Sequence, residues 1–358
     1  MTDGDRRSWL ITGGSGFIGS AVVRRLVADG HAVTNVDAMT YAGTFGSTAS
    51  VAGSERYRHV AVDITDRAAL DRVFAEASPD TVMHLAAESH VDRSIDRPSE
   101  FVMTNVIGTT NLLEAATEHW ESLDGAGRER FRFHHVSTDE VFGALGRDGS
   151  FTPDTPYDPR SPYSASKASA DHFVRAWNHT FGLPVVMSNC SNNYGPFQLP
   201  EKLIPKTIVH ALMRLPIPVY GRGEQVRDWL HVDDHVAALL AIAIGGTVGE
   251  TYLVGGGAER TTLEVVQAVC ASIDRMSDAE AGSADLISFV EDRPGHDFRY
   301  SIDYSRTTER LAWSPLIDFE QGIEETVKWY VANRDWWEPL VVSAGATSRQ
   351  GLRAGGVS

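Results

Sequence analysis

The chain has 358 residues, 42% hydrophobic and 22% charged, which is ordinary for a globular protein and enough for two lobes at about 150 residues per domain. Its formal net charge of -16 argues against a nucleic-acid partner, because phosphate contacts need clustered lysine and arginine. The longest apolar run, 236–244, is too short for a membrane span, and the two cysteines offer no disulfide framework, so we expect a cytoplasmic protein.

Short apolar runs alternate with helical patterns in the first part of the chain, and this alternation predicts a parallel sheet with crossover helices. The strand-like runs are 9–12, 32–36, 57–62, 81–85, 131–136 and 185–189. The first helix is predicted over 17–29, with Gly30 just past its end, where glycine is common.

A glycine-rich loop, Gly13-x-x-Gly16-x-x-Gly19, lies between the first strand and the first helix. Its spacing suits a tight turn and a close backbone approach to a pyrophosphate at the helix N-terminus. Asp37 ends the second strand, where a carboxylate can accept from a ribose 2′-hydroxyl and would repel a 2′-phosphate, so we predict NAD rather than NADP. Asp63 ends the third strand and either meets the adenine or is a solvated turn residue.

The predicted fold class is α/β, a Rossmann-type doubly wound parallel sheet with a smaller C-terminal substrate-binding lobe. Prolines interrupt the pattern after Asn193, and short strands are expected near Val219 and over 251–254. We assign 1–193 to the NAD-binding domain, with segments near 228–256 returning to it, and 194–227 and 257–340 to the substrate lobe. Residues 341–358 lack periodicity and are predicted to be a disordered tail.

Tyr163 and Lys167 stand four residues apart, on one face of a helix that Ser161 caps and Pro162 begins. An ammonium near a phenol, with the positive nicotinamide ring, favours the phenolate, so we expect a lowered pKa for Tyr163. Such a tyrosine can take the proton of a hydroxyl while hydride leaves to NAD. Tyr-x-x-x-Lys is a weak signal alone and a strong one after a dinucleotide loop.

Asp139 and Glu140 follow the strand predicted over 131–136, at the edge of a parallel sheet where ligands bind. The adjacent Ser137 or Thr138 would polarise a substrate hydroxyl. Dehydration needs one group to take a carbon-bound proton and another to protonate the leaving hydroxide, and two carboxyls in a desolvated pocket can hold opposite protonation states. Both reach one substrate only if the backbone leaves the pleat, because neighbours on a strand face opposite ways.

The segments TGGSGFIG at 12–19, LAAESHVDRS at 85–94, STDEVFG at 137–143, Tyr163-x-x-x-Lys167 and SNNYGP at 191–196 resemble those of dTDP-glucose 4,6-dehydratases. These are extended short-chain dehydrogenases that act on nucleotide sugars. The resemblance covers residues 8–335, and the adjacent Asp139-Glu140 is its discriminating element. Sugar epimerases and decarboxylases of the same superfamily usually lack that pair.

The resemblance implies an NAD-dependent hydro-lyase that converts a nucleoside-diphosphate hexose, dTDP-glucose above others, to the 4-keto-6-deoxy sugar. In this reading Tyr163 takes the proton of the carbon 4 hydroxyl, and Lys167 holds the cofactor ribose. Glu140 then removes the hydrogen on carbon 5, and Asp139 protonates the hydroxide that leaves carbon 6. Hydride from carbon 4 returns to carbon 6, so NAD is regenerated. Family members are commonly homodimers, so the resemblance implies a homodimer. It implies no metal site.

The same matching assigns two sets of binding residues. The cofactor set is Gly13, Gly16, Phe17, Ile18, Gly19, Asp37, Asp63, Ile64, Leu85, Ala86, Ala87, Thr104, Tyr163, Lys167 and Asn193. The set for the nucleotide sugar is Ser89, Thr138, Asn192, Lys202, Leu203, Pro218, Tyr220, Arg227, Arg293 and His296. Lys202, Arg227 and Arg293 suit a diphosphate, because ionised donors form strong hydrogen bonds to phosphate oxygens. These residues would attract the anionic substrate locally although the whole chain is acidic. The other interpretation is that they are solvated charges on the surface.

The nucleobase of the substrate and the class of function are both left open by the sequence. Thr262 stands where the family usually has asparagine at a nucleotide contact, so thymidine and uridine both remain candidates. A 4-epimerase or decarboxylase would keep the oxidation at carbon 4 and omit elimination. The third alternative is a non-catalytic NAD-binding sensor on the same fold, which would need no proton-transfer groups. The presence of the Tyr163-Lys167 pair beside Asp139-Glu140 argues against such a sensor.

Overall fold

The computed structural model describes residues 6–276, 282–292 and 296–344. Its strands are β1 (Ser8–Thr12), β2 (Ala32–Val36), β3 (Tyr57–Val60), β4 (Thr81–His84), β5 (Arg132–Thr138), β6 (Val185–Cys190), β7 (Asn192–Tyr194), β8 (Ile217–Tyr220), β9 (Val226–His231), β10 (Thr251–Val254), β11 (Glu259–Thr261) and β12 (Ile287–Val290).

Seven of these strands form one parallel sheet in the order β10-β6-β5-β4-β1-β2-β3. The strand order reverses between β1 and β4, and ligands of doubly wound sheets bind at such a switch point, outside the carboxyl ends of the strands. The central strands are buried almost throughout, as parallel strands covered on both faces must be. The predicted Rossmann-type α/β class is confirmed.

The helices are α1 (Phe17–Ala28), α2 (Arg67–Ala77), α3 (Val91–Asp96), α4 (Pro98–Phe101), α5 (Thr109–Ser122), α6 (Gly125–Arg130), α7 (Pro162–Phe181), α8 (Leu203–Leu212), α9 (Val232–Gly245), α10 (Thr262–Asp274), α11 (Ser305–Leu311), α12 (Phe319–Ala332) and α13 (Arg334–Ala344). A π-helical segment, Val102–Gly108, joins α4 to α5. Short 3₁₀ turns cover Phe45–Val51, Asp139–Phe142 and Ser283–Leu286.

Separate apolar cores support the large sheet and the smaller lobe. One core packs β1, β4 and β5 against α2, α5 and α7, and a second packs the other side of the sheet against α1 and α9. The smaller lobe has its own core from α8, α10, α12 and β8. The remaining strands form two minor sheets, a three-stranded one in the order β11-β9-β7 and a two-stranded one of β12 and β8.

The chain returns to the large lobe more often than the predicted boundaries allow. Strand β10 pairs with β6, in line with the segment predicted to return. Helix α11 also packs on β10 and α9, and the Trp313 indole donates to the Asp234 carbonyl oxygen at 3.1 Å. Part of 257–340 therefore lies on the large lobe, because its apolar side chains cover the edge strand.

Two further differences concern the ends of elements. Strand β3 ends at Val60, so Asp63 lies three residues beyond it, where its Oδ1 accepts from the backbone N–H and hydroxyl of Thr65. Helix α13 runs to Ala344, so 341–344 of the predicted tail are helical, because Trp337 and Val341 pack on the core of the small lobe. Residues 345–358 lie outside the described residues. Within the described ranges, no helix is long and apolar enough to cross a bilayer.

Candidate active site

The glycine loop between β1 and α1 is shaped for close approach of a ligand. Gly13 has φ of +72°, and a Cβ there would lie 2.7 Å from the Ala86 backbone nitrogen. Gly16 is the N-cap of α1 and provides no side-chain cap, so the first turn of the helix keeps N–H groups for a ligand. This arrangement fits the pyrophosphate of a dinucleotide.

Asp37 holds the end of β2 beside that loop. Its Oδ2 accepts from the Ser15 N–H at 2.9 Å, and its Oδ1 accepts from the Met39 N–H at 2.8 Å. The carboxylate is thereby fixed at the carboxyl edge of the sheet, in the position that suits a ribose hydroxyl. These residues fit NAD, and the negative charge disfavours a 2′-phosphate.

One cleft at the switch point is lined by the whole predicted cofactor set. The cofactor residues that line it are Gly13, Gly16, Phe17, Ile18, Gly19, Asp37, Asp63, Ile64, Leu85, Ala86, Ala87, Thr104, Tyr163, Lys167 and Asn193. The predicted catalytic residues Thr138, Asp139 and Glu140 line the same cleft. The fold therefore brings segments from β1 to β7 to one place, at the carboxyl ends of the parallel strands.

The backbone leaves the pleat immediately after β5. Asp139–Phe142 is a 3₁₀ turn, which the Thr138 hydroxyl caps by accepting from the Glu140 N–H at 3.3 Å. Gly143 ends the turn at φ +83°. The condition for both carboxyls to face one substrate is met, because the turn removes the strict alternation of a strand.

Asp139 is buried, with 2% of its surface exposed, and its Oδ2 has no hydrogen-bond partner among the described residues. Burial, followed by the nearby Glu140 carboxylate, raises the pKa of Asp139 well above its usual range. A raised pKa favours the protonated form of this carboxyl, which is the form that can donate a proton. Glu140 is less deeply buried, so the pair occupies unlike environments.

Tyr163 and Lys167 project from the first turns of α7, which Ser161 caps as predicted, in a capping box with Ser164. The Lys167 Nζ donates to the Val136 carbonyl oxygen at 2.9 Å. In the chain without cofactor, burial and then the Glu140 carboxylate raise the pKa of Tyr163 well above its ordinary value, so Lys167 alone does not produce the lowered pKa expected beside a nicotinamide ring. The physical reason is that the Tyr163 hydroxyl is fully buried near carboxyls, while the Lys167 ammonium is directed to a carbonyl.

The predicted substrate residues fall into two groups. Ser89, Thr138, Asn192 and Lys202 line the main cleft, and the Lys202 Nζ donates to the Ser89 carbonyl oxygen at 3.3 Å across the two lobes. The residues that do not line it are Leu203, Pro218, Tyr220, Arg227 and His296. Arg293 lies outside the described residues.

The second group lies in the smaller lobe, on α8, β8 and β9 and at His296, beyond β12. The Tyr220 and His296 rings are edge to face at 6.3 Å, and His296 Nδ1 lies 2.7 Å from an Asp292 carboxylate oxygen. Pro218 is on β8 and Leu203 is the first residue of α8. A nucleotide would have to extend out of the main cleft to reach these residues.

Arg227 connects the two groups. Its guanidinium is buried, donates to the carbonyl oxygens of Val226, Asp297 and Phe298, and lies 4.1 Å from the centre of the Tyr300 ring. Its charge acts on Asp139, whose pKa it lowers against the larger effect of burial. Thr262 does not reach the main cleft, and its hydroxyl donates to the Gln225 carbonyl oxygen at 3.3 Å.

Several lining residues were not predicted individually. Glu88, Cys190, Ser191, Gln198 and Glu201 also line the cleft. Cys190 ends β6, so its place at a carboxyl strand edge was a usable signal. Glu88 and Glu201 come from loops that only the folded chain brings together, and burial raises the pKa of each.

Known proteins share this architecture over nearly the whole chain. The family model described as GDP-mannose 4,6 dehydratase matches residues 10–326. The dTDP-glucose 4,6-dehydratase of Neisseria meningitidis serogroup B is 54% identical over 96% of this chain and 99% of its own. The chain belongs to the dTDP-glucose 4,6-dehydratase family.

Solved structures of similar fold include both dehydratases and epimerases. DesIV, a dTDP-glucose 4,6-dehydratase from Streptomyces venezuelae solved with NAD and TYD bound, has a TM-score of 0.85 at 42% identity and covers 94% of this chain and 99% of its own. The UDP-glucose 4-epimerase of Thermotoga maritima, solved with UDP-glucose, reaches 0.81 at 26% identity over 91% of this chain and 99% of its own. The dehydratases thus share far more of the sequence than the epimerase does, although the folds are alike.

Proposed function

We propose that the chain catalyses the NAD-dependent dehydration of dTDP-glucose to the nucleotide-linked 4-keto-6-deoxy sugar. The observation that carries this proposal is the buried Asp139, with a raised pKa, next to Glu140 in the cleft that also holds Tyr163. An epimerase needs no proton donor for a departing hydroxide. Membership of the dTDP-glucose 4,6-dehydratase family supports the same reaction.

The first step falls to Tyr163 and its neighbours. Thr138 shares a hydrogen bond with the Tyr163 side chain, which lowers the phenol's pKa against the effect of burial. Both lie where a hydroxyl at carbon 4 would meet the cofactor. Bound NAD supplies the acceptor for the hydride from carbon 4 and its return to carbon 6. A positive charge at the nicotinamide position would favour the phenolate that Tyr163 needs in order to take the hydroxyl proton.

Elimination falls to the adjacent carboxyls. A ketone at carbon 4 acidifies the hydrogen on carbon 5, and Glu140 acts as the general base that removes this proton. Asp139 gives its proton to the hydroxide that leaves carbon 6. Because burial favours the neutral form of Asp139 while Glu140 is less enclosed, the two carboxyls can hold the unlike protonation states that the step requires.

A direct assay distinguishes this function from its neighbours in the superfamily. The protein is incubated in deuterated buffer with dTDP-glucose or with UDP-glucose, and the products are followed by NMR. A dehydratase loses the carbon 6 hydroxyl, gains solvent deuterium at carbon 5 and moves the carbon 4 hydrogen to carbon 6. Inversion at carbon 4 without these changes would identify an epimerase, and NAD binding without turnover of either sugar would identify a sensor.

Replacement of the base should separate oxidation from elimination. In Glu140→Gln the oxidation at carbon 4 remains possible, whereas overall turnover falls by about 10²–10⁴-fold. Stopped-flow absorbance should then show reduced nicotinamide accumulating on the enzyme. Tyr163→Phe is the matched comparison, because it should lose turnover with no reduced nicotinamide. Full turnover by Glu140→Gln would show that another group is the base.

We also propose that two copies form a homodimer in the cytoplasm. Support comes from apolar side chains left exposed on neighbouring elements: Ile95 on α3, Met103 and Ile107 in the π-helical segment, and Phe173 on α7. Light scattering should give twice the chain mass of 39.1 kDa, and Ile107→Glu should lower it toward one chain. A wild-type mass of one chain at assay concentration would contradict the dimer.

A further inference from the structure

A buried carboxylate lies behind the catalytic lysine, outside the cleft. Asp171 follows Lys167 by one helical turn on α7 and has no exposed surface. It has no surface open to a ligand and does not line the cleft, so it is not a substrate contact. A fully buried carboxylate is costly unless its oxygens are paired, so its presence calls for a physical reason.

Donors from three separate segments converge on this carboxylate. One oxygen accepts from His135 Nε2 at 3.0 Å, which sets the tautomer of that ring. The other accepts from the Ser137 hydroxyl at 2.9 Å, the Tyr157 hydroxyl at 2.8 Å and the Asn189 amide at 3.4 Å. These bonds, with His135 contributing most, hold the pKa of Asp171 below its usual value although it is buried. Asp171 is therefore ionised at neutral pH.

The same bonds hold the structure that presents the catalytic turn. Ser137 immediately precedes Thr138 on β5, and the Asn189 amide also donates to the Thr138 carbonyl oxygen at 2.9 Å. The Tyr157 ring packs edge to face on Phe142, the last residue of the 3₁₀ turn, at 5.1 Å. Asp171 thus ties α7 to both ends of the segment that carries Asp139 and Glu140.

The charge of Asp171 also acts on Lys167. Burial lowers the pKa of Lys167, and Asp171 provides the largest opposing effect. The other titratable groups that face the ammonium are His84 on β4, His135 on β5 and Cys190 on β6. Both histidines have lowered pKa values, and burial raises the pKa of Cys190 to about 12. Among these groups of the described chain, Asp171 is the one that carries charge at neutral pH.

We propose that Asp171 is a positioning residue, which places a buried carboxylate one helical turn from Lys167 and fixes the end of β5 that carries the catalytic turn. This inference rests on the proposed function for its readout. Asp171 is not among the titratable groups that act on the Tyr163 phenol, which are Glu140, Cys190 and Asp139. Lys167 stands one helical turn from both Tyr163 and Asp171 on α7, so the proposal has Asp171 reach the phenol through this lysine.

Asp171→Asn tests the proposal through the pH profile. Without the carboxylate, Lys167 loses its proton at lower pH, and the phenolate of Tyr163 loses the ammonium that favours it. The acid limb of kcat against pH should move to higher pH, and kcat at neutral pH should fall by about 10-fold to 100-fold. KM for the nucleotide sugar should change by less than about twofold, because the side chain contacts no substrate.

Tyr157→Phe is the matched control. It removes one hydrogen bond to Asp171 and leaves the carboxylate charged, so its acid limb should stay at the wild-type pH. An unmoved limb in Asp171→Asn, or an equal shift in Tyr157→Phe, would show that the network is only structural. Wild-type turnover of dTDP-glucose is measured first, and its absence would refute the proposed function before Asp171 is tested.

A second variant covers the case in which Asp171→Asn does not fold. Asp171→Glu keeps the negative charge with one more methylene, so it should retain the wild-type acid limb whatever its kcat. Thermal melts and the content of bound NAD verify that each variant is folded. A shifted limb in Asp171→Glu would overturn the proposal.

Discussion

At the scale of single residues, the environment of Asp139 decides what the cleft can do. The same turn presents two carboxyls, and only their surroundings distinguish them. Asp139 has one oxygen without a partner among the described residues, whereas an exposed aspartate would be solvated and ionised. The roles of acid and base thus follow from burial more than from residue type.

The pH dependence of turnover should report this environment. A raised pKa keeps Asp139 protonated to higher pH, so the donor is present below that pKa and is lost as pH rises through it. Asp139→Asn should lower kcat by about 10²–10⁴-fold and remove this basic limb. Asp154→Asn, at an exposed carboxyl that pairs with Arg306, is the control and should keep the wild-type profile. A basic limb that survives in Asp139→Asn would assign it to another group.

Residue patterns predicted the cofactor side better than the substrate side. Gly13 and Asp37 belong to one β-α-β stretch, and Tyr163 and Lys167 to one helix, so local spacing places them. Glu201 reaches the cleft from a loop far along the chain, which no local pattern reveals. Leu203, Pro218 and Tyr220 were matched by resemblance and lie outside the main cleft, where the role of a nucleotide contact remains a prediction.

At the scale of elements, the start of α7 positions both Tyr163 and Lys167. The Ser161 hydroxyl accepts from the Ser164 N–H at 3.0 Å, and the Ser164 side chain returns a bond to the Ser161 backbone. This capping box fixes the first turn and therefore the direction of the phenol. The sequence predicted this helix start well, because serine followed by proline is a local signal.

Removal of the cap should weaken the helix measurably. Ser161→Ala should lower the free energy of unfolding by about 1 kcal/mol, because a backbone N–H of the first turn loses its acceptor. Ser169→Ala on the same helix is the control, since its hydroxyl only donates back to the Ala165 carbonyl oxygen. Its effect should stay within about 0.5 kcal/mol in the same denaturant titration. Equal losses in the two variants would mean that the cap contributes nothing specific.

At the scale of the whole molecule, buried histidines make the fold sensitive to acid. His84, His134, His135 and His235 have almost no exposed surface. Burial lowers the pKa of all four, to about 3 for His134 and His235. The sequence patterns do not reveal this layer, because the strands and α9 bring the rings together only in the folded chain.

The sign of the effect follows from these pKa values. The histidines stay neutral in the folded chain and take protons in the unfolded chain below about pH 6.5. Their contribution to stability is complete above that pH and is lost as pH falls through the lowered pKa values of the folded chain. For His134 and His235, whose folded pKa is about 3, the cost should be about 1.4 kcal/mol each per pH unit between about pH 6.5 and 3. Denaturant titrations at several pH values measure how the free energy of unfolding changes with pH. In His134→Asn this slope should fall by about 1.4 kcal/mol per pH unit. His179→Asn, at an exposed histidine, should leave the slope unchanged.

The repeated crossing between lobes has a consequence for how such a protein can be divided. Helix α9 and strand β10 follow the first segment of the smaller lobe, yet they cover α1 and the edge of β6. A gene fragment that stops at residue 193 would encode a half-enzyme with a bare apolar face and an unpaired strand, which invites aggregation. An engineered swap with another protein therefore needs interleaved segments instead of one splice point.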